Sequence, residues 1–256
     1  MTDVLVAVDD TAAAEPVLRT GLLIAQSLGR PVHVLHAGEP NSRLEELAHQ
    51  YGLAVDFQPG PAETTVPAAV ADPQVEVVVV GLHGLPGHHR TGHLVPALAS
   101  QSRVPVVIVP ASAAVRGAAG RVMFPLDGTQ RISAGARPLI AAYVAAGIDV
   151  IALHVYDPKT VPRFHDGPED DAVWRDEFLA QHCADLEIQL TTRPGPLVPA
   201  VLEVAASQDV DIIALPTRGD TAGIADSFVH EVLTSADRPV ALVPVPRTPM
   251  VAERSA

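Results

Sequence analysis

The chain has 256 residues, enough for one large domain or two small ones. Hydrophobic residues make up 48% and charged residues 18%, which excludes a disordered chain. A net charge of −13 argues against a nucleic-acid binder, which needs a basic face, and against an anionic membrane surface.

In chain order, Val4–Val8 is a continuous apolar run that predicts a buried strand, and Asp9-Asp10-Thr11 behind it is a helix-start signal. Apolar residues at helical spacing predict a helix over Glu15–Leu28, with Gly29 as its stop. Val32–Ala37 reads as a second strand, Ser42–Tyr51 as a short polar helix and Leu53–Phe57 as a weaker strand. Thr64–Ala71 reads as a helix that Pro67 confines to a late start or a kink. The β-branched run Val75–Val80 is a buried strand. A loop over Gly81–Gly92, a helix over His93–Ser102 and a strand over Val104–Val109 complete the series. The small residues of Ala111–Gly120 read as a linker.

The series then starts again. Val4-Leu-Val-Ala-Val-Asp-Asp-Thr11 resembles Val122-Met-Phe-Pro-Leu-Asp-Gly-Thr129 at an offset of 118, and Leu35-His36 meets Leu153-His154 at the same offset. Gly60-Pro61 meets Gly195-Pro196 at an offset of 135, as Val75–Val80 meets Val210–Leu215. The chain is a tandem duplication whose second copy carries 17 extra residues between positions 158 and 195. Within that stretch Lys159–Asp171 is read as a surface loop with a solvated acidic run, Glu169-Asp170-Asp171, leading into a helix over Ala172–Cys183. Trp174 and Phe178 in that helix are expected to pack on the sheet. Strands alternating with helices imply doubly wound parallel sheets with right-handed crossovers.

Three features, Val-Ala-Val-Asp9, Leu-His36 and Val-Val-Gly81-Leu-His-Gly84, have second-half parallels at Leu126-Asp127, Leu-His154-Val155 and the strand ending near Pro216. Together they resemble the universal stress protein family across nearly the whole chain. The resemblance implies two tandem Rossmann-like α/β domains of the adenine nucleotide alpha-hydrolase-like kind, 1–113 and 120–246; residues 247–256, behind Pro246 and with Pro249, read as a disordered tail. It also implies a pseudo-two-fold pair in which Val104–Val109 lies beside Val240–Val243 and covers two edge strands.

ATP-binding members carry G-x2-G-x9-G-[ST] after the fourth strand, where glycine N–H groups and a helix N-terminus receive phosphates. The first half reads Gly81-x2-Gly84-x7-Gly92-His93, with Arg90 in the loop, and the second reads Pro216-x2-Gly219-x6-Asp226-Ser227. By the resemblance, Asp9, Ala37, Gly81, Gly84, Arg90, Gly92 and His93 are the candidate nucleotide residues of domain 1. Asp127, Val155, Gly219 and Ser227 are their counterparts in domain 2. Pro216 removes an N–H, and Asp226 sets a carboxylate where a phosphate would sit, so the second site is expected to be lost. For the first half two readings stand: a degenerate pocket that only holds the fold, or an ATP site. The expected role is a stress-response regulator that acts by binding a protein partner, not an enzyme; the alternative is an ATP sensor with slow hydrolysis.

Other features receive plainer readings. His83, His88, His89 and His93 are a His-rich loop rather than a metal site. His36 and His154, at equivalent strand ends, suggest a shared structural task, and Thr11 and Thr129 are expected helix N-caps. Cys183 is the sole cysteine, so no disulfide or CxxC pair exists. Lys159 is the sole lysine and lies in the insert, so lysine-based phosphate chemistry is not expected. The absence of a signal-peptide pattern and of a long apolar segment gives a cytoplasmic expectation, with an internal pseudo-dimer and room for a homodimer.

Overall fold

A computed structural model describes residues 2–82, 94–115, 120–156, 168–183, 186–217 and 228–245. The first half contains β1 (Asp3–Ala7), α1 (Ala14–Leu28), β2 (Val32–Ala37), α2 (Ser42–Gln50), β3 (Val55–Gln58), α3 (Ala62–Val70), β4 (Val75–Gly81), α4 (Leu94–Gln101) and β5 (Val106–Val109). The second repeats the order with β6 (Arg121–Pro125), α5 (Gln130–Ala145), β7 (Asp149–Tyr156), α6 (Pro168–His182), β8 (Gln189–Pro194), α7 (Leu197–Ser207), β9 (Ile212–Thr217), α8 (Phe228–Ser235) and β10 (Val240–Pro244).

All ten strands join one sheet, in the order β3-β2-β1-β4-β5-β10-β9-β6-β7-β8. Neighbours within each half are parallel. The halves meet antiparallel through β5 and β10, with Val240 opposite Ile108, Ala241 opposite Val107 and Leu242 opposite Val106. This is the pseudo-two-fold seam that the resemblance implied.

The apolar runs face helices on both sides, so alternate residues enter two cores. Val4, Val6, Val77 and Val79 pack with Leu18 of α1, in a layer that continues into Phe124, Tyr143 and Phe178 of the second half. Leu5, Val78, Val80 and Ile108 pack with Leu98 of α4, in a layer that continues into Val201 and Leu233. A Cβ on Gly21 would stand 2.3 Å from Val6, so glycine is what lets α1 lie this close to β1. Gly29 ends α1 at φ 63°, as its sequence position predicts. At the N-terminal edge of the sheet a carboxylate ties strands together in each half. Glu76 accepts from the Thr2 hydroxyl at 2.6 Å and from Arg30 at 2.8 Å, and these bonds hold its carboxyl below the ordinary glutamate value. Its counterpart Asp211 accepts from the Gly120 and Arg121 amides.

Three expectations are corrected. Helix α3 starts two residues early, at Ala62, and runs through Pro67. The amides of Thr64 and Thr65 both bond the Pro61 carbonyl, which nucleates the turn ahead of the proline. Helix α6 starts at Pro168, so the acidic run belongs to a helix and not to the loop. Proline suits a first helical position, where its missing N–H would have no partner. Thr129 is the N-cap of α5, but α1 is capped at Ala13, with Thr11 in the turn before it. The remainder of the insert, with Lys159, and the tail from 247 lie outside the described residues.

Candidate functional site

In a doubly wound sheet the ligand crevice opens at the carboxyl ends of the strands, where strand order reverses. Here those points lie between β1 and β4 and between β6 and β9. In the first half, Asp9 follows β1, Ala37 closes β2 beside Gln58, and Gly81 closes β4 beside Val109. In the second half, Asp127 follows β6, Val155 stands in β7 beside Arg193, and Pro216 in β9 takes the place of Gly81. Gly84, Arg90, Gly92 and His93, with the other loop histidines, lie outside the described residues, as do Gly219, Asp226 and Ser227.

Both aspartates are held by the same local turn. The Asp9 carboxylate accepts from the Thr11 amide at 3.1 Å and its hydroxyl at 2.6 Å; Asp127 accepts from Thr129 at 2.8 and 2.7 Å. The equivalent histidines also share one task. His36 Nδ1 bonds the Val8 carbonyl at 2.9 Å, and His154 Nδ1 bonds the Leu126 carbonyl at 3.0 Å. A carbonyl only accepts, so Nδ1 carries the hydrogen in each ring. Each imidazole thus ties the end of its half's second strand to the residue following the first.

Beyond this shared frame the two crevices differ. The paired residues of β1 and β4 run to Ala7 opposite Val80, whereas those of β6 and β9 stop at Met123 opposite Ile213. Pro125 stands where the first half has Ala7. The next amide, Leu126, donates to Leu153 on the β7 side, so the missing N–H of Pro125 is one that would have pointed at β9. Proline therefore flanks the second crevice on both strands.

Helix α6, the counterpart of α2, carries a ring stack with no equivalent among the described residues of the first half. Phe178 lies 5.0 Å from His154, 5.3 Å from Trp174 and 4.4 Å from His182, measured between ring centroids. It also lies 3.6 Å from where a Cβ on Gly128 would stand. His182, buried, shares a 2.9 Å hydrogen bond with the buried Ser133 hydroxyl. In the first half His36 meets only Phe57 edge-on at 5.7 Å among the described rings. Cys183 beside this stack is buried, and burial raises its thiol above the ordinary value despite Arg137, so it stays protonated. Among the described residues no group of three His, Cys, Asp or Glu is placed to hold a metal.

Residues 119–244 match the sequence model of the universal stress protein family. The second half of the chain belongs to the universal stress protein family. In structure it is similar to a universal stress protein from Archaeoglobus fulgidus DSM 4304, with TM-score 0.63 at 16% identity over 95% of this chain and 96% of that one. It is also similar to a functionally unknown protein from Pseudomonas aeruginosa PAO1, with TM-score 0.64 at 16% identity over 96% and 93%. A universal stress protein in complex with cAMP aligns over 49% of this chain and 97% of its own, at 20% identity and TM-score 0.38. A comparison with curated proteins gives no significant match. Among the described residues no helix is long and apolar enough to cross a membrane.

In this second half the buried His182 makes stability pH-dependent. Burial, then the neighbouring His154, push its pKa below the ordinary 6.5, against an opposing pull from Asp127. The folded state therefore binds this proton less well than the unfolded chain. The contribution is fully present above about pH 6.5 and is lost as pH falls through the unfolded value toward the folded one. Urea unfolding between pH 7.5 and 5 should show stability falling with a His182 component no steeper than about 1.4 kcal/mol per pH unit. His182→Gln, which keeps a partner for Ser133, should flatten that component; an unchanged slope would refute it.

Proposed function

We propose that this protein works by binding and contact rather than turnover, as a stress-response regulator in the cytoplasm, with no nucleotide in its second half. The observation that carries this reading is the pair of prolines flanking the second crevice, Pro125 and Pro216, where the first half has Ala7 and Gly81. A phosphate or base seated at a strand-end crevice depends on backbone N–H groups that come close to it, and these prolines have none to offer. In the sequence Asp226 stands next to Ser227 where ATP-binding members have glycine, and a carboxylate about 4 Å from a phosphate costs about 1–4 kcal/mol.

A second reading, an adenine-nucleotide sensor confined to the first half, is favoured by Asp9 just after β1 and Gly81 at the end of the adjacent β4, at the reversal point. Calorimetric titration of ATP into the full chain, with an assay for released phosphate, separates the two. No heat supports the regulator without nucleotide, and one equivalent lost in Gly81→Pro supports the sensor. Two equivalents, or sustained turnover, would overturn the proposal.

A further inference from the structure

The duplication supplies an internal comparison on the other side of the β1 turn. A half-open cavity of about 310 Å³ lies between the start of α1 and helix α2 of the first half. Thr11, Ala14 and Glu15 line one wall, and Arg43, Glu46 and Leu47 the other. At the offset of 118, Ala14 and Glu15 correspond to Ile132 and Ser133; at 135, Arg43 and Leu47 correspond to Phe178 and His182. These are the residues that close the same place in the second half, with Phe178 over Gly128 and His182 bonded to Ser133. One copy of the groove is filled by a phenyl ring and an imidazole from its own chain, and the other is open.

We propose that the open groove of the first half is a binding site for a small organic amine with an aromatic or aliphatic body. The second half shows what the groove holds, a phenyl ring over the turn at Gly128 and an imidazole bonded to Ser133 of α5. The charge follows from the substitutions. Arg43 lines the groove with its Nη1 paired to Asp10 at 2.9 Å, where the second half has Gly128. Glu15 stands in the position of Ser133, the residue to which the second half presents a ring nitrogen. Glu15 accepts from the Tyr51 hydroxyl at 3.2 Å and lies 4.0 Å from Arg19, and a carboxylate has about four acceptor positions, so it has capacity for an ammonium. Ala12, Ala14 and Leu47 supply an apolar wall for the body of the ligand, and the volume is at the small-molecule end of known sites.

The test is a titration of phenethylamine into the full ¹⁵N-labelled chain, followed by amide chemical shifts. Saturable shifts at Thr11–Glu15 and Arg43–Gln50 are expected, with a dissociation constant of about 1 mM or below for so small a ligand. 2-Phenylethanol, of the same shape without the charge, should bind about tenfold more weakly or not at all. Glu15→Gln on the surface should weaken the amine about fivefold, and Leu47→Trp, which fills the groove, should abolish it with the rest of the spectrum unchanged. Absence of saturation, equal binding of the alcohol, or shifts indifferent to both variants would overturn the proposal.

Discussion

Ala241→Glu is expected to destabilise the whole molecule by more than about 4 kcal/mol, among the largest effects a single substitution produces. Ala241 is fully buried in β10, opposite the nearly fully buried Val107 of β5, where among the described residues the two halves share a strand pair. Its side chain points into the core layer that runs from Leu18 to Phe178 across both halves. A carboxylate there has no partner, so it either stays charged at a cost of several kcal/mol or takes up a proton. Because both layers cross the seam, the wild-type chain should unfold in urea as one transition, and the variant should lose soluble yield or separate into two. A variant with wild-type stability would show that the seam contributes little.

Phe178→Ala is the second large effect, at about 3 kcal/mol. Phe178 is only 6% exposed, and its ring contacts His154, Trp174 and His182 while covering Gly128. Removing it leaves a cavity between α6 and the ends of β6 and β7, with the imidazoles as its polar walls. Trp174 is the sole tryptophan, so its emission reports on this stack without labelling. The variant should show red-shifted emission and a lowered denaturation midpoint. Unchanged emission with unchanged stability would mean that α6 is held elsewhere.

Much of the fold was legible because its signals are local. The β-branched run at Val75–Val80 and the glycine behind Leu28 each fix an element from neighbours in sequence, and the second copy repeats the pattern. The start of α6 was not legible: an acidic run behind Gly167-Pro168 reads as a loop until the proline is seen in the first helical position. At the site, the shared position of His36 and His154 pointed to a common structural task, and both rings clamp the residue after the first strand. Pro125 was visible, but its consequence depends on which neighbour its missing N–H would face, and only the sheet order tells that. The filled and open grooves were harder still. Their two walls follow different offsets, 118 on the α1 side and 135 on the α2 side, so the pairs Glu15 with Leu47 and Ser133 with His182 align only when it is known which helices touch.

The unlike halves are tested most directly by photolabelling the full chain with an azido-ATP analogue and mapping the modified peptides. No adduct that ATP competes away is expected within residues 120–245. A competed adduct in the segment from Val210 to Val245 would contradict a second half without nucleotide.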